Sequence, residues 1–207
     1  MMLLRERCAQ GVIWLEYIEG TPARQFINTG VAVHFASAAV DCKWSIESLD
    51  GKHVNYVPVF GNYDSESKPV FRIILSGADD SYYANINNLA SKSMGVTGMN
   101  VGLDNPNLIT MKAGVIIANG RQRSVSPSGV SYTNNNPVIL FGARSYAQTN
   151  YVNYRERMYS FTVRDGETPI LDLRPCLVRG EVGMYDLVSK RFLGNSGTGQ
   201  FTAGPKK

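Results

Sequence analysis

Histidine is nearly absent from this chain of 207 residues: His34 and His53 are the only two. Without an HxxH or HExxH pair, and with no cysteine spaced to join a histidine, no zinc centre is expected. No Gly-x-Ser-x-Gly elbow marks a serine nucleophile. Cysteine is almost as scarce. Cys8, Cys42 and Cys176 make an odd set without a CxxC, so no disulfide framework is implied, which fits synthesis in a reducing cytoplasm. No apolar run approaches a membrane span, and Met1–Arg7 meets charge before a leader's apolar stretch can develop, so neither membrane insertion nor a cleaved secretory signal is expected. No segment keeps an apolar period of 3.6 for more than about two turns, which leaves room for one short helix near Asn87–Lys92. Heptads, solenoid repeats and long linkers are all missing.

Charge is modest too. Charged residues make up 18% of the chain against 43% hydrophobic ones, a balance that belongs to a folded globule. The net charge of +4 comes from scattered residues: Arg121, Arg123, Arg144, Arg155, Arg157, Arg164, Arg174 and Arg179 form no run. A nucleic-acid footprint needs a clustered stripe or a known motif, so no nucleic acid is expected as partner. The scatter reads first as a solvated basic surface, with attraction to an acidic polysaccharide or cell envelope as the alternative.

What is present is the punctuation of many short strands: 20 glycines, with Asn, Ser and Thr crowding the stretches between apolar runs. From Ala38 to Ile46 the chain alternates, with Val40, Cys42, Trp44 and Ile46 on one side and Ala39, Asp41, Lys43 and Ser45 on the other. Similar strands are expected over Asn55–Phe60, Val70–Leu75, Leu108–Lys112 and Val115–Ala118, with a weaker one over Tyr82–Ile86. Asn119-Gly120 supplies the positive φ angles of a tight hairpin. Pro137–Phe141 reads as a strand buried on both faces. Arg157–Asp165 alternates again, with Tyr159, Phe161 and Val163 expected on one face. Asp165-Gly166 turns the chain into Pro169–Val178, and a last strand pair spans Gly183–Leu193. The expected architecture is all-β in one domain over residues 13–204, with residues 1–12 as an N-terminal extension. A chain of this length buries about 70% of its unfolded surface and needs no metal or disulfide to hold its core.

Both ends carry recognisable motifs: Leu15-Glu16-Tyr17-Ile18-Glu19 followed by Gln25-Phe26-Ile27-Asn28-Thr29-Gly30, then Phe141-Gly142-Ala143-Arg144 and Tyr159-Ser160-Phe161 with Asp165-Gly166. Asp172, Pro175 and Cys176 follow, then Gly183-Met184-Tyr185-Asp186, Phe192, and Asn195-Ser196-Gly197-Thr198-Gly199-Gln200-Phe201. In these residues the chain resembles the concanavalin A-like, laminin-G-like jelly-roll domains of gut bacterial surface proteins and their phages. It departs from them in Arg174, where they carry an apolar residue, and in Pro22, where they carry Ser-Thr-Gly. The resemblance implies a two-sheet antiparallel jelly-roll sandwich whose first and last segments meet. Asn195–Gly199 lacks the Gly-Lys-Ser/Thr ending of a phosphate cradle and reads as a turn.

That fold also houses glucanases, which need paired carboxylates in a Glu-x-Asp-x-x-Glu pattern. No glutamate here begins one. The expectation is therefore a non-catalytic module that binds carbohydrate or a cell surface, without catalytic residues. Its ligand-binding residues are expected between two strands, at Arg144, Tyr146, Asn150, Tyr151, Asn153 and Tyr154, where aromatic faces, amides and a guanidinium suit a sugar. The competing reading is that Tyr146, Tyr151 and Tyr154 only pack the loop. Tyr82-Tyr83 with Asn85, Asn87 and Asn88 form a second candidate. No cofactor is required; calcium is the one candidate, at Asp79, Asp80 or Asp104, although these side chains suit turns equally well. The family resemblance and the want of a leader point to an exposed virion protein of tail, fibre or capsid. Its partners would be a glycan or bacterial surface component and other virion proteins, with a homo-oligomer as a further expectation. The rivals are a structural or decoration protein of a virion that binds no sugar, and an adhesin domain at the bacterial cell surface.

Overall fold

Alternation over 38–48 builds the longest strand of the first half. Val40, Cys42, Trp44 and Ile46 are at most 2% exposed, while Asp41 and Lys43 lie half-buried on the other side. The computed structural model describes residues 11–21, 24–33, 37–48, 55–62, 70–76, 81–88, 94–96, 102–112, 114–124, 136–142 and 154–207. Among them no helix occurs, and so none long and apolar enough to cross a membrane. The strands of the first half are β1 Val12–Trp14, β2 Ile18–Gly20, β3 Ile27–Asn28, β4 Ala38–Ser48, β5 Asn55–Asn62, β6 Val70–Ser76, β7 Ser81–Asn88, β8 Met94–Val96 and β9 Asn107–Lys112. The second half adds β10 Val115–Ala118, β11 Arg121–Ser124, β12 Ile139–Leu140, β13 Tyr154–Asp165, β14 Thr168–Val178, β15 Glu181–Asp186, β16 Arg191–Leu193 and β17 Thr202–Ala203. The expected strands all form. Asn87 and Asn88, where a short helix was expected, instead end β7, because pairing of Val70 with Asn88 continues the β6–β7 ladder.

These strands form two antiparallel sheets. The larger runs β11-β10-β9-β4-β13-β14-β15-β16, with β1 paired to β14, and β2 paired to both β13 and β17. The smaller runs β3-β12-β5-β6-β7-β8. The two enclose one core, so the chain is a β-sandwich. Trp44, Met158, Phe161 and Val163 from the larger sheet pack with Val57, Val59, Phe60, Ile73 and Leu140 from the smaller. Phe60 and Phe161 meet across the layers at 5.0 Å in an edge-on pair. Each such side chain contributes about 1.5–3 kcal/mol by leaving water. Val138 to Phe141 are fully buried, as their unbroken apolar run predicts.

β13 departs from the simple alternation. Its register against β4 shifts between Met158 and Ser160, so Tyr159 has no partner and forms a bulge. The extra residue reverses the parity: Tyr154, Glu156 and Met158 face the core before it, Phe161 and Val163 after it. Tyr159 therefore does not share the face of Phe161 and Val163, and its side chain stands on the outer face of the sheet. The same reversal turns Glu156 inward.

The ends of the chain close against each other. β17 pairs with β2, Leu15 bridges to Lys206, and the Lys207 amide donates to the Trp14 carbonyl at 3.1 Å. The Asn195 Oδ1 accepts from the amides of Phe26 (3.0 Å) and Gly197 (2.9 Å), while its amide donates to the Gly199 carbonyl. Ser196 and Thr198 donate in turn to the carbonyls of Phe26 and Arg24. Gly197 is needed here, since a Cβ would collide with the Arg24 carbonyl oxygen. Asn119 (φ 49°) and Gly120 (φ 78°) make the expected hairpin turn.

Candidate functional site

The outer face of the larger sheet carries polar and aromatic side chains held by fixed partners. Antiparallel register places neighbours side by side on one face. Lys43 of β4 pairs with Leu108 of β9 on one side and Ser160 of β13 on the other. One step past the last β13–β14 pair, Arg174 stands beside Ser160, and its own partner on β15 is Tyr185. A row of apolar, cationic, hydroxyl, cationic and aromatic groups thus crosses the strands. Leu108 is 59% exposed, an unusual degree for a leucine in the middle of a sheet. At the centre of the row lies an open cleft of about 470 Å³, lined by Glu16, Lys43, Tyr159, Ser160, Arg174 and Lys207.

Tyr159 is rigidly held. Its hydroxyl donates to the Leu103 carbonyl at 3.1 Å and lies 3.3 Å from the Ser45 hydroxyl, which donates to the same carbonyl at 2.7 Å. The Tyr17 ring packs edge-on against it at 5.4 Å. The Lys43 ammonium sits 5.2 Å from its ring centre. The bulge in β13 is what aims this ring outward, in keeping with the way bulges redirect side chains near functional sites.

The charges around the cleft fall into two groups. The arginines are matched to acids. Arg157 Nε donates to Glu19 at 2.8 Å, its Nη1 to Asp104 at 3.1 Å, and its guanidinium covers Tyr17 at 4.4 Å. Arg174 pairs with Asp172 at 2.8 Å, and Arg164 pairs with Asp41. The lysines are not matched: neither Lys43 nor Lys207 forms an ion pair among the described residues, and both line the cleft. Among the described residues, Glu16 is the one acidic side chain that lines it.

The residues expected to bind are distributed differently. Arg144, Tyr146, Asn150, Tyr151 and Asn153 lie outside the described residues, as do His34, His53, Cys8, Asp79 and Asp80. Tyr154 opens β13 and is 3% exposed in the core cluster, where it acts as packing. Asp104 is 96% exposed at its side chain and held by Arg157. No group of three or more His, Cys, Asp or Glu side chains is placed to hold a metal ion among the described residues. Tyr82 to Asn88 lie on β7. Lys43, Tyr159 and Arg174 were passed over as site residues. The signal for Lys43 was present, since alternation already put it opposite the core side of 38–46. The signal for Tyr159 was hidden by the bulge.

Two buried carboxyls stand apart from this face. For Asp186, burial alone would raise the acid's pKa. Hydrogen bonds from the Ser189 hydroxyl and from the amides of Asp172, Val188 and Ser189 outweigh it and hold the pKa below the usual carboxylate range. This is a turn clamp between β14, β15 and the chain that follows. Glu156 has no such help. It is fully buried, paired in register with Ile46 of β4 and Gly20 of β2, and neither carboxyl oxygen has a hydrogen-bond partner. Burial pushes its pKa well above the usual carboxylate range. Burial, followed by the nearby Glu156 and Asp41 carboxyls, likewise raises the Cys42 thiol, whose Sγ lies 3.5 Å from the Met158 sulfur. Cys176 is pushed up to about 12 by burial. Both thiols are free and structural in character.

No protein-family profile matches the chain, and no curated protein sequence matches it significantly.

Proposed function

We propose that the chain is a non-catalytic module that binds carbohydrate at a cell surface through the outer face of its larger sheet. The observation that carries this reading is the cleft between Lys43, Tyr159, Ser160 and Arg174, with its fixed aromatic wall and mixed hydrogen-bonding groups. Saccharides are bound by such combinations, an apolar surface for the C–H face of the ring and donors or acceptors for the hydroxyls. The exposed Leu108 and the half-buried Tyr185 extend the row on either side. Among the described residues one acidic side chain, Glu16, lines the cleft, whereas glycoside hydrolysis uses two carboxylates across the scissile bond, which favours binding over catalysis.

We read the sandwich as a jelly roll of the concanavalin A-like kind. The supporting features are the meeting of β2 with β17 and the clamp of Asn195 on Phe26, which tie together the opening and closing motifs of the resemblance. The virion setting rests on that resemblance. The test is binding of the purified protein to a broad glycan array and to whole gut bacterial cells, with and without calcium. Saturable binding that Tyr159→Ala abolishes in a folded variant supports the reading. A folded protein that binds no glycan and no cell refutes it, and favours an assembly role without sugar recognition.

A further inference from the structure

We infer that the saccharide taken by this face carries an acid group, a carboxylate or a sulfate, and that the Lys43 ammonium is the group that reads it. The inference rests on the binding reading above and narrows it to a ligand class. Every described arginine on this face near the cleft already has a carboxylate: Arg157 has Glu19 and Asp104, Arg164 has Asp41, and Arg174 has Asp172. Their charge is spent within the protein. Lys43 differs, because its neighbours across the strands are Leu108 and Ser160, neither of which can neutralise it. Among the described residues its one partner is the π face of Tyr159, and a cation–π contact at a half-exposed site is weak, about 0.5–1 kcal/mol. An ammonium held in place by a ring and facing a cleft is therefore a positioned positive charge that an incoming anion can satisfy. Lys207 lines the same cleft. Arg174 keeps 34% of its side chain exposed and can donate its remaining N–H groups without leaving Asp172.

The pattern favours an acidic sugar over a polyphosphate chain. Nucleic acids bind to tracks of uncompensated Lys and Arg, one for each phosphate neutralised. Here the arginines near the cleft are each paired with an acid, and Lys43 and Lys112 stand apart on different strands rather than forming a track. Glu16 lies in the cleft itself, where it repels a dense anion but accepts hydrogen bonds from sugar hydroxyls. The exposed Leu108 beside Lys43 offers an apolar surface to the ring of the sugar, which a phosphodiester backbone does not need.

The test is calorimetric titration of the whole protein with matched oligosaccharides: an oligogalacturonate, its methyl ester, a sulfated galactan fragment, a neutral galactan fragment, and single-stranded DNA as a polyphosphate control. The acidic sugars should bind at least about tenfold more tightly than their neutral counterparts, and increasing salt should narrow the gap. Lys43→Met keeps the methylene stem over Tyr159 and removes the charge. It should abolish the preference, bringing the acidic sugars down to the affinity of their neutral counterparts. Lys112→Met, which removes an exposed positive charge elsewhere on the same sheet, should leave the preference intact. A difference between the uronate and the sulfated fragment identifies which acid is read. Equal affinity for neutral and acidic sugars overturns the inference and leaves the binding module standing. Tighter binding of DNA than of any sugar overturns it too, and absence of binding to every probe overturns both readings.

Discussion

Glu156→Gln should remove a pH dependence that the wild-type fold carries in its core. The carboxyl of Glu156 is fully buried between Ile46 and Gly20 with no hydrogen-bond partner, and burial raises it well above the usual carboxylate range. In the unfolded chain it titrates near the ordinary value of about 4.3. The folded state therefore binds a proton that the unfolded state releases once the pH passes that value. Stability from this site is intact below the unfolded value and falls as pH rises, by about 1.4 kcal/mol per unit, until the folded value is reached. A loss of that size per pH unit is substantial against the roughly 5–15 kcal/mol typical of a domain. Glutamine matches the shape and does not titrate, so this slope disappears in the variant. Its amide is also buried, at a cost of about 1–3 kcal/mol, and the slope rather than the intercept is therefore the quantity to compare. Urea unfolding followed by circular dichroism at half-unit steps from pH 5 to pH 8 measures it. The difference in stability between variant and wild type should grow steadily with pH. Parallel profiles, or a wild type that gains on the variant as pH rises, would refute the placement of a neutral acid in the core.

Three further outcomes follow from the packing. Asp186→Asn should cost about 1–3 kcal/mol, because an amide nitrogen then faces backbone donors that the carboxylate accepts. The pKa of Asp186 is lowered in the fold, so its stabilisation is present above the ordinary value and lost as pH falls through the folded one. The variant should accordingly lose stability less steeply than wild type below about pH 4 in acid unfolding. Gly197→Ala places a Cβ against the Arg24 carbonyl and should open the ladder between the chain's ends. Faster hydrogen exchange at the Ser196 and Thr198 amides, with a lower Tm, is the expected signature. Phe161→Ala removes the ring that meets Phe60 across the sandwich, and chemical unfolding should show a loss of about 3–5 kcal/mol.

The strands were legible because one face of each is buried, and burial of one face imposes a period of two. Val40, Cys42, Trp44 and Ile46 were placed correctly for that reason, and so was the Asn119-Gly120 turn, whose positive φ angles few other pairs tolerate. A bulge leaves no mark of this kind. Tyr159, Phe161 and Val163 alternate as well as any strand, and only the register against β4 shows that Tyr159 faces outward and Glu156 inward. The candidate face was illegible for a related reason. Lys43, Ser160 and Arg174 come from three strands whose neighbourhood is a matter of pairing at long range, as does the match of each arginine to its acid. The resemblance at the chain's ends did anticipate their meeting, because those residues are the ones that touch: Phe26 with Asn195, and Ile18 with Ala203.

The central claim, that ligand is bound by the outer face of the larger sheet, is tested most directly by titrating isotope-labelled protein with an oligogalacturonate and following the amide resonances by NMR. The account predicts that the shifts concentrate on Lys43, Leu108, Ser160 and Arg174, which share one row across four strands. Shifts confined to residues 143–153, with that row unmoved, would contradict it and return the binding site to that segment.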